Sequence, residues 1–388
     1  MNLFVIGTPL QLLNTIELRH AFNLTENHLV IVMDYNHWPK TTVWTRLVCS
    51  TEWKTVHYLD LQSTRCEFRS PLVGEHLSRK LSNYRNQYRQ YDNKARVDRV
   101  ARKFLRVDHL VLGNYHGDYM RHFANRVQYR RLCVVDDGTD VLLINQERTR
   151  RLQETGSVTS TVSGESAWAK FKKSLRESML EWDARQANRI EFFTAYDIVA
   201  RPGDLVVKNE YSYFRKRMTS NGSNGSCMFL GQCLVRDGYI SQHVYLDYLR
   251  RVRSHFGDQP MLYVPHPREP EVLVNEIREH IGFVIQRVDV PIEWHLMDEG
   301  AKPSVLASFF CSALVSCRLI YGTRLKFKAF QIMDEDVIKW PDLVRSAYAY
   351  FSTLPTPNIE VVPFSEAHPA RSPNSISFGQ LTNLLNEK

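Results

Sequence analysis

Four short clusters in the sequence hold side chains able to do chemistry. Asp136-Asp137-Gly138 closes an apolar run, VVDDG, so two adjacent carboxylates stand at the end of an expected strand. Such a pair caps the next helix, binds a cation, or offers one carboxylate to a cleft as general base on a hydroxyl. Gly138 would let a substrate approach the backbone closely. His266-Pro267 ends a second strand-like run, MLYVPHP, with Arg268 behind it. A histidine there is either structural or a donor of hydrogen bonds, charge or a proton to a phosphate leaving group. In PSVLASFFCSAL at 303–314, Ser308, Cys311 and Ser312 lie close together before an apolar segment. They suit either close packing or a phosphate held by hydroxyls and backbone N–H groups, helped by a helix dipole. Glu293, in Pro291-Ile292-Glu293, could accept hydrogen bonds from an amino group or a ribose.

The elements that must position these residues read as α/β. LFVIG at 3–7 predicts a strand, Thr8 a helix N-cap, Pro9 the first helical residue, and LQLLNTIELRHAF an amphipathic helix. A second strand, LVIVM at 29–33, completes a βαβ unit and hence a parallel sheet. HLVLGN at 109–114 and RLCVVDDG at 131–138 repeat the pattern, each followed by a helix. Ligands of such sheets gather outside the carboxyl ends of the strands. Gly7, Gly113 and Gly138 mark strand-to-helix corners, but no GxGxxG or Walker loop is present, so no dinucleotide or ATP site is expected. TSNGSNGS at 219–226 predicts the domain boundary, and the α/β rhythm restarts after it with CMFLGQ, a strand ending at the Gly231 corner. The expectation is two Rossmann-like domains, 1–220 and 221–388, facing a central cleft.

A length of 388 residues suits two domains, and 43% hydrophobic with 24% charged residues excludes disorder. No apolar run approaches the ~20 residues of a membrane span. Seven scattered cysteines without a CxxC predict a reducing compartment and neither a disulfide framework nor a structural zinc site. The opening residues lack the pattern of a signal peptide, so a cytoplasmic protein is expected. The formal charge of +8 is concentrated: residues 79–131 hold fourteen Lys/Arg against four Asp/Glu, mostly in one helical pattern. That is either a solvated helix face or a surface for polyanions such as anionic lipid or acidic glycan. No nucleic-acid-binding motif accompanies it, and nucleic acid is not expected as a partner. A second helical stripe, Trp168, Phe171, Leu175, Met179 and Trp182, reads as packing, with contact to an anionic inner membrane as its alternative use.

The order of the clusters, DDG, then HP, then PxE, then a Ser-containing SAL segment, resembles the bacterial sialyltransferases of GT-B fold. That group contains lipooligosaccharide sialyltransferases and capsular polysialyltransferases, and its hallmarks are D/E-D/E-G, HP and a later Ser/Thr pair. The opening LFVIGTPLQLLNTIE, the segment LGNYHGDYMRHFAN and the restart FLGQ are similar as well. The resemblance implies Asp137 as general base supported by Asp136, and His266 with Pro267 at the phosphate of a CMP-sugar donor. Ser312 would bond that phosphate with Ser308 as helper, Glu293 would hold the cytidine, and Gly231 would belong to the donor side. Cys311 departs from the Ser/Thr pair, and a thiol is a weak donor. The implied activity is inverting transfer of sialic acid from CMP-sialic acid to a glycan acceptor, with no cofactor or metal required. Another CMP-activated sugar such as Kdo, a UDP- or GDP-sugar, or a non-catalytic glycan- or membrane-binding protein are the alternatives.

Overall fold

The computed structural model describes residues 1–34, 41–48, 50–64, 75–154, 181–218, 222–223, 225–298, 302–355 and 357–364. Two parallel sheets organise them. The first joins β1 (Asn2–Ile6), β2 (Asn27–Asp34), β3 (Thr55–Leu61), β4 (Arg106–Leu112), β5 (Gln128–Val135), β6 (Glu191–Thr194) and β7 (Leu205–Lys208), in the order β3-β2-β1-β4-β5-β6-β7. The second joins β8 (Cys227–Leu230), β9 (Met261–Val264), β10 (Val284–Ile285), β11 (Val305–Ser308), β12 (Lys326–Phe330) and β13 (Ile359–Val362), in the order β10-β9-β8-β11-β12-β13. Each starts in its middle, runs outward, and then reverses to the other side of its first strand. That is the doubly wound Rossmann order, repeated in both halves.

The central strands are buried along their whole length, as β1, β8 and β11 show, because helices cover both faces. In the first half these are α1 (Pro9–Ala21), α2 (Thr41–Leu47), α3 (Glu75–Ala101), α4 (Asp118–Arg126) and α5 (Asp140–Glu154). A short α6 (Ser212–Arg217) leads out of it. The second half carries α7 (Gln242–His255), α8 (Glu271–Ile281), α9 (Ile292–Asp298), α10 (Ala313–Tyr321) and α11 (Pro341–Thr353).

The expected start of α1 is observed: Thr8 is its N-cap, its hydroxyl accepts from the Gln11 amide at 3.3 Å, and Pro9 follows. One boundary differs. The basic helical pattern LSRKLSNYRNQYRQYDNKARVDRVARKFLRV, 77–107 in the sequence, stops as a helix at Ala101, and Arg106 already starts β4, where Val107 pairs with Tyr129. Burial of alternate apolar residues in the sheet outweighs continuation of a helix. Of the expected 168–182 stripe only Trp182 is described, packed edge-on to His122 at 5.2 Å; the rest lies outside the described residues. No described helix is long and apolar enough to cross a membrane.

Candidate active site

Asp136 and Asp137 follow β5 directly, and Gly138 then turns the chain with φ +63°, a left-handed conformation that suits glycine. The hydrogen bonds of both carboxylates go elsewhere than to the start of α5. Asp136 is buried, its Oδ2 accepts from the Ala195 amide at 2.7 Å, and the Thr194 side chain also favours its ionised form. Burial, only partly offset by that amide, pushes its carboxyl up to about 7. Asp137 is half-buried. It accepts from Asn114 Nδ2 at 2.8 Å and from the Thr8 hydroxyl at 3.3 Å. Desolvation raises its pKa against these bonds, and nearby Asp140 raises it further.

Helix α1 braces this corner from below. Gln11 Oε1 accepts from the Gly7 amide at 2.7 Å and its side chain lies where any Cβ at Gly113 would collide. Asn14, fully buried, donates to the Asp136 carbonyl at 2.9 Å and accepts from Tyr211 OH at 2.6 Å and from Asn209 at 3.2 Å. Glu17 accepts the Tyr213 and Phe214 amides at the start of α6. One helix therefore holds both the acidic corner and the chain that leaves the first half.

In the second half, His266 follows β9. Its Nδ1 accepts from the Arg268 amide at 3.1 Å and lies 3.0 Å from Cys233 Sγ, an arrangement that leaves the ring proton on Nε2. Burial, reinforced by Arg268, lowers its pKa to about 4, so at neutral pH the ring is an uncharged hydrogen-bond donor. Pro267 is exposed behind it. Beneath it sits Glu269. Its Oε1 accepts from Tyr263 OH at 2.7 Å and Tyr245 OH at 3.1 Å, and its Oε2 from the His266 amide at 2.6 Å. Burial pushes that carboxyl up to about 7. Gly231, expected on the donor side, makes room for this cluster: a Cβ there would collide with Glu269 and Tyr263.

Ser312 is the N-cap of α10, makes no side-chain capping bond, and faces the acidic corner. A Cβ at Gly138 would stand 3.4 Å from its Oγ. Together with Leu10, Asp136, Ala195, Tyr196, Val315 and Ser316, the two residues line one cleft between the halves. Ser308 differs from Ser312: it is fully buried and donates to the Leu230 carbonyl at 2.7 Å, with Gln232 Oε1 at 3.3 Å, which ties β11 to the end of β8. Cys311 is held as a thiol, its pKa pushed up to about 11 by burial. Glu293, on α9, is buried and bonded to the Ser316 hydroxyl, and burial raises its pKa. Glu293 thus meets the cleft through Ser316.

The structure brings together Asp136, Gly138 and Ser312, with Glu293 one hydrogen bond behind. His266 reaches Ser308 by way of neighbouring Cys233 and Gln232, which also accepts the Phe310 amide at 3.1 Å. Sequence reasoning missed Glu269, Asn14, Tyr211 and Ser316. For Glu269 a signal exists, an acidic residue three places after His266; Asn14 sits unmarked among apolar residues of α1.

Two Rossmann-like domains contributing residues to one intervening cleft is the GT-B arrangement. No protein-family model matches the chain, and no curated protein matches it. Among solved structures it is similar to an alpha/beta-galactoside alpha-2,3-sialyltransferase from Photobacterium phosphoreum, at 12% identity and TM-score 0.47 over 93% of this chain and 97% of that one. A sialyltransferase GT-B domain from Photobacterium damselae matches at 11% identity and TM-score 0.40, over 93% and 100%. The spinosyn forosaminyltransferase SpnP matches at 13% and 0.49, over 100% and 91%. Likeness at that level is one of chain path, and the chemistry has to come from this chain's own residues.

Proposed function

We propose that the protein is an inverting, metal-independent sialyltransferase that moves sialic acid from CMP-sialic acid to a hydroxyl of a bacterial surface glycan, lipooligosaccharide or capsular polysaccharide. It works in the cytoplasm, at the periphery of the inner membrane. Residues 1–220 form the acceptor side and 221–388 the CMP-sugar side. The observation that carries this reading is the approach of the acidic corner at Gly138 to Ser312 across the cleft. The motif order in the sequence supplies the donor.

In the reaction, the acceptor oxygen bonds to the anomeric carbon as the bond from that carbon to the CMP phosphate oxygen breaks. Asp137 takes the acceptor hydroxyl proton, and Asp136 supports the corner. Charge grows on the departing phosphate, where the Nε2–H of His266 and the Ser312 hydroxyl donate hydrogen bonds. Glu293 and Ser316 face the cytidine. A single displacement inverts the anomeric centre.

The test is CMP release and glycan transfer by purified protein in EDTA, comparing wild type with Asp137→Ala and His266→Ala. Activity that persists in EDTA and collapses in both variants supports the assignment. Consumption of CMP-Kdo or a UDP-sugar in place of CMP-sialic acid overturns the donor, and activity unchanged in both variants overturns the site.

A further inference from the structure

Residues 77–94 of helix α3 have their polarity inverted. Leu77, Leu81, Tyr84, Tyr88 and Tyr91 recur at steps of four and three, which places them in one stripe. That stripe faces outward: the five residues are 54%, 40%, 71%, 70% and 53% exposed. The opposite face is polar as far as Lys94 and turns apolar only at its C-terminal end, where Val97 and Ala101 are buried. Asn93 exchanges bonds of 2.8 Å with both backbone groups of Gln62, Arg89 reaches the Ser63 carbonyl at 2.9 Å, and Ser78 and Ser82 lie partly covered. An ordinary surface helix would turn its leucines inward, so this stripe needs an occupant.

Helical geometry sets exposed Lys80 and Arg85 on either flank of the stripe and exposed Arg99 in line with its C-terminal end. The helix holds seven Lys/Arg against Glu75, Asp92 and Asp98. Asp92 is engaged by Arg96 at 2.8 Å, and Asp98 by Arg126 at 3.1 Å and His122 at 3.0 Å. What remains outward is apolar, aromatic and positive. We infer that α3 lies on an anionic lipid surface, with its leucines and tyrosines in the headgroup boundary and its cations over acidic headgroups. The stripe runs about 21 Å along one exposed helix from residue 77 to 91, which fits a plane better than a glycan chain needing a cleft. Pairing with a second copy would set like charges against each other. The inference is independent of the sugar used in the cleft.

Full-length protein would be sedimented with phosphatidylcholine vesicles, with and without phosphatidylglycerol, beside two variants of matched thermal melt. Wild type is expected to bind only the anionic vesicles, and salt to weaken the binding. Lys80→Glu/Arg85→Glu/Arg99→Glu should lower partitioning by roughly 100-fold or more, each cation near such a surface contributing roughly fivefold. Leu81→Ser/Tyr84→Ser/Tyr88→Ser should abolish it. Wild type that ignores anionic vesicles, or binding unchanged in both variants, overturns the inference. So does a wild-type dimer that the stripe variant converts to monomer, which would make a second copy the occupant.

Discussion

Gly138, from the first half of the chain, and Ser312, from the second, face each other so closely that one methyl group would bring them into contact. A Cβ on the glycine would sit 3.4 Å from the serine oxygen and 3.9 Å from its Cβ. Gly138→Ala should therefore act twice. The positive φ costs about 1 kcal/mol in any non-glycine residue, read as a lower melting temperature. The methyl narrows the cleft, read as a fall in kcat/KM for transfer. Ser312→Ala should leave the melt unchanged, because the serine makes no capping bond, and weaken CMP binding measured by calorimetry.

The two adjacent aspartates should separate by role. Asp137→Asn is expected to lower kcat by ~100- to 10,000-fold, the usual range for a general base, with KM for the donor little changed. Asp136→Asn should show itself first in stability. A carboxyl raised to about 7 in the fold contributes stability that is present below its unfolded value near 3.8 and lost as pH rises through 7. The amide cannot ionise, so the variant should melt higher than wild type at pH 8, with the advantage shrinking as pH falls from 7 toward 3.8. Equal loss of kcat in both variants would overturn the division of labour.

His266 should not titrate in the working range. With its pKa lowered to about 4, the free enzyme's kcat/KM should show no inflection near 6.5 from this ring. The acid limb of the profile should instead follow Asp137, active only when ionised and raised above the ordinary aspartate range. A proton-coupled chemical shift titration of the His266 ring checks the assignment directly.

Glu269→Ala should cost both stability and rate. It strips an acceptor from the His266 amide and from Tyr245 and Tyr263, whose hydroxyls still meet each other at 2.9 Å, and each buried group left unpaired costs about 1–3 kcal/mol. Glu269→Gln keeps an acceptor and should recover most of the melt. If the glutamate positions His266, Gln also recovers kcat; if it only fills space, Glu269→Ala loses stability with kcat intact.

Much of the frame is legible locally. Thr8-Pro9 announces α1, apolar runs announce the strands, and DDG and HP fall at strand ends as their flanks predict. Register between distant segments is not written locally, and what the sequence leaves open lies there. Ser308 and Ser312 look equivalent in the sequence, yet one hydroxyl is consumed by the Leu230 carbonyl while the other meets the cleft. Asn14 carries no mark of its role in the sequence, and the return of Tyr211 explains it. Gly231 and Gly113 are the strand-end corners expected, and each also yields space to a side chain from elsewhere, Glu269 and Gln11.

The bond from Tyr211 to Asn14 joins residues 197 positions apart, and the bond from Asn14 to Asp136 spans 122. Contacts of such separation form after local ones, since the loop they close must first be ordered. During synthesis the Asn14 side chain cannot meet its Tyr211 partner until the chain past residue 211 has left the ribosome. The acidic corner is thereby completed only once the whole first sheet has been translated, and a truncated nascent chain carries the aspartates without their finished support.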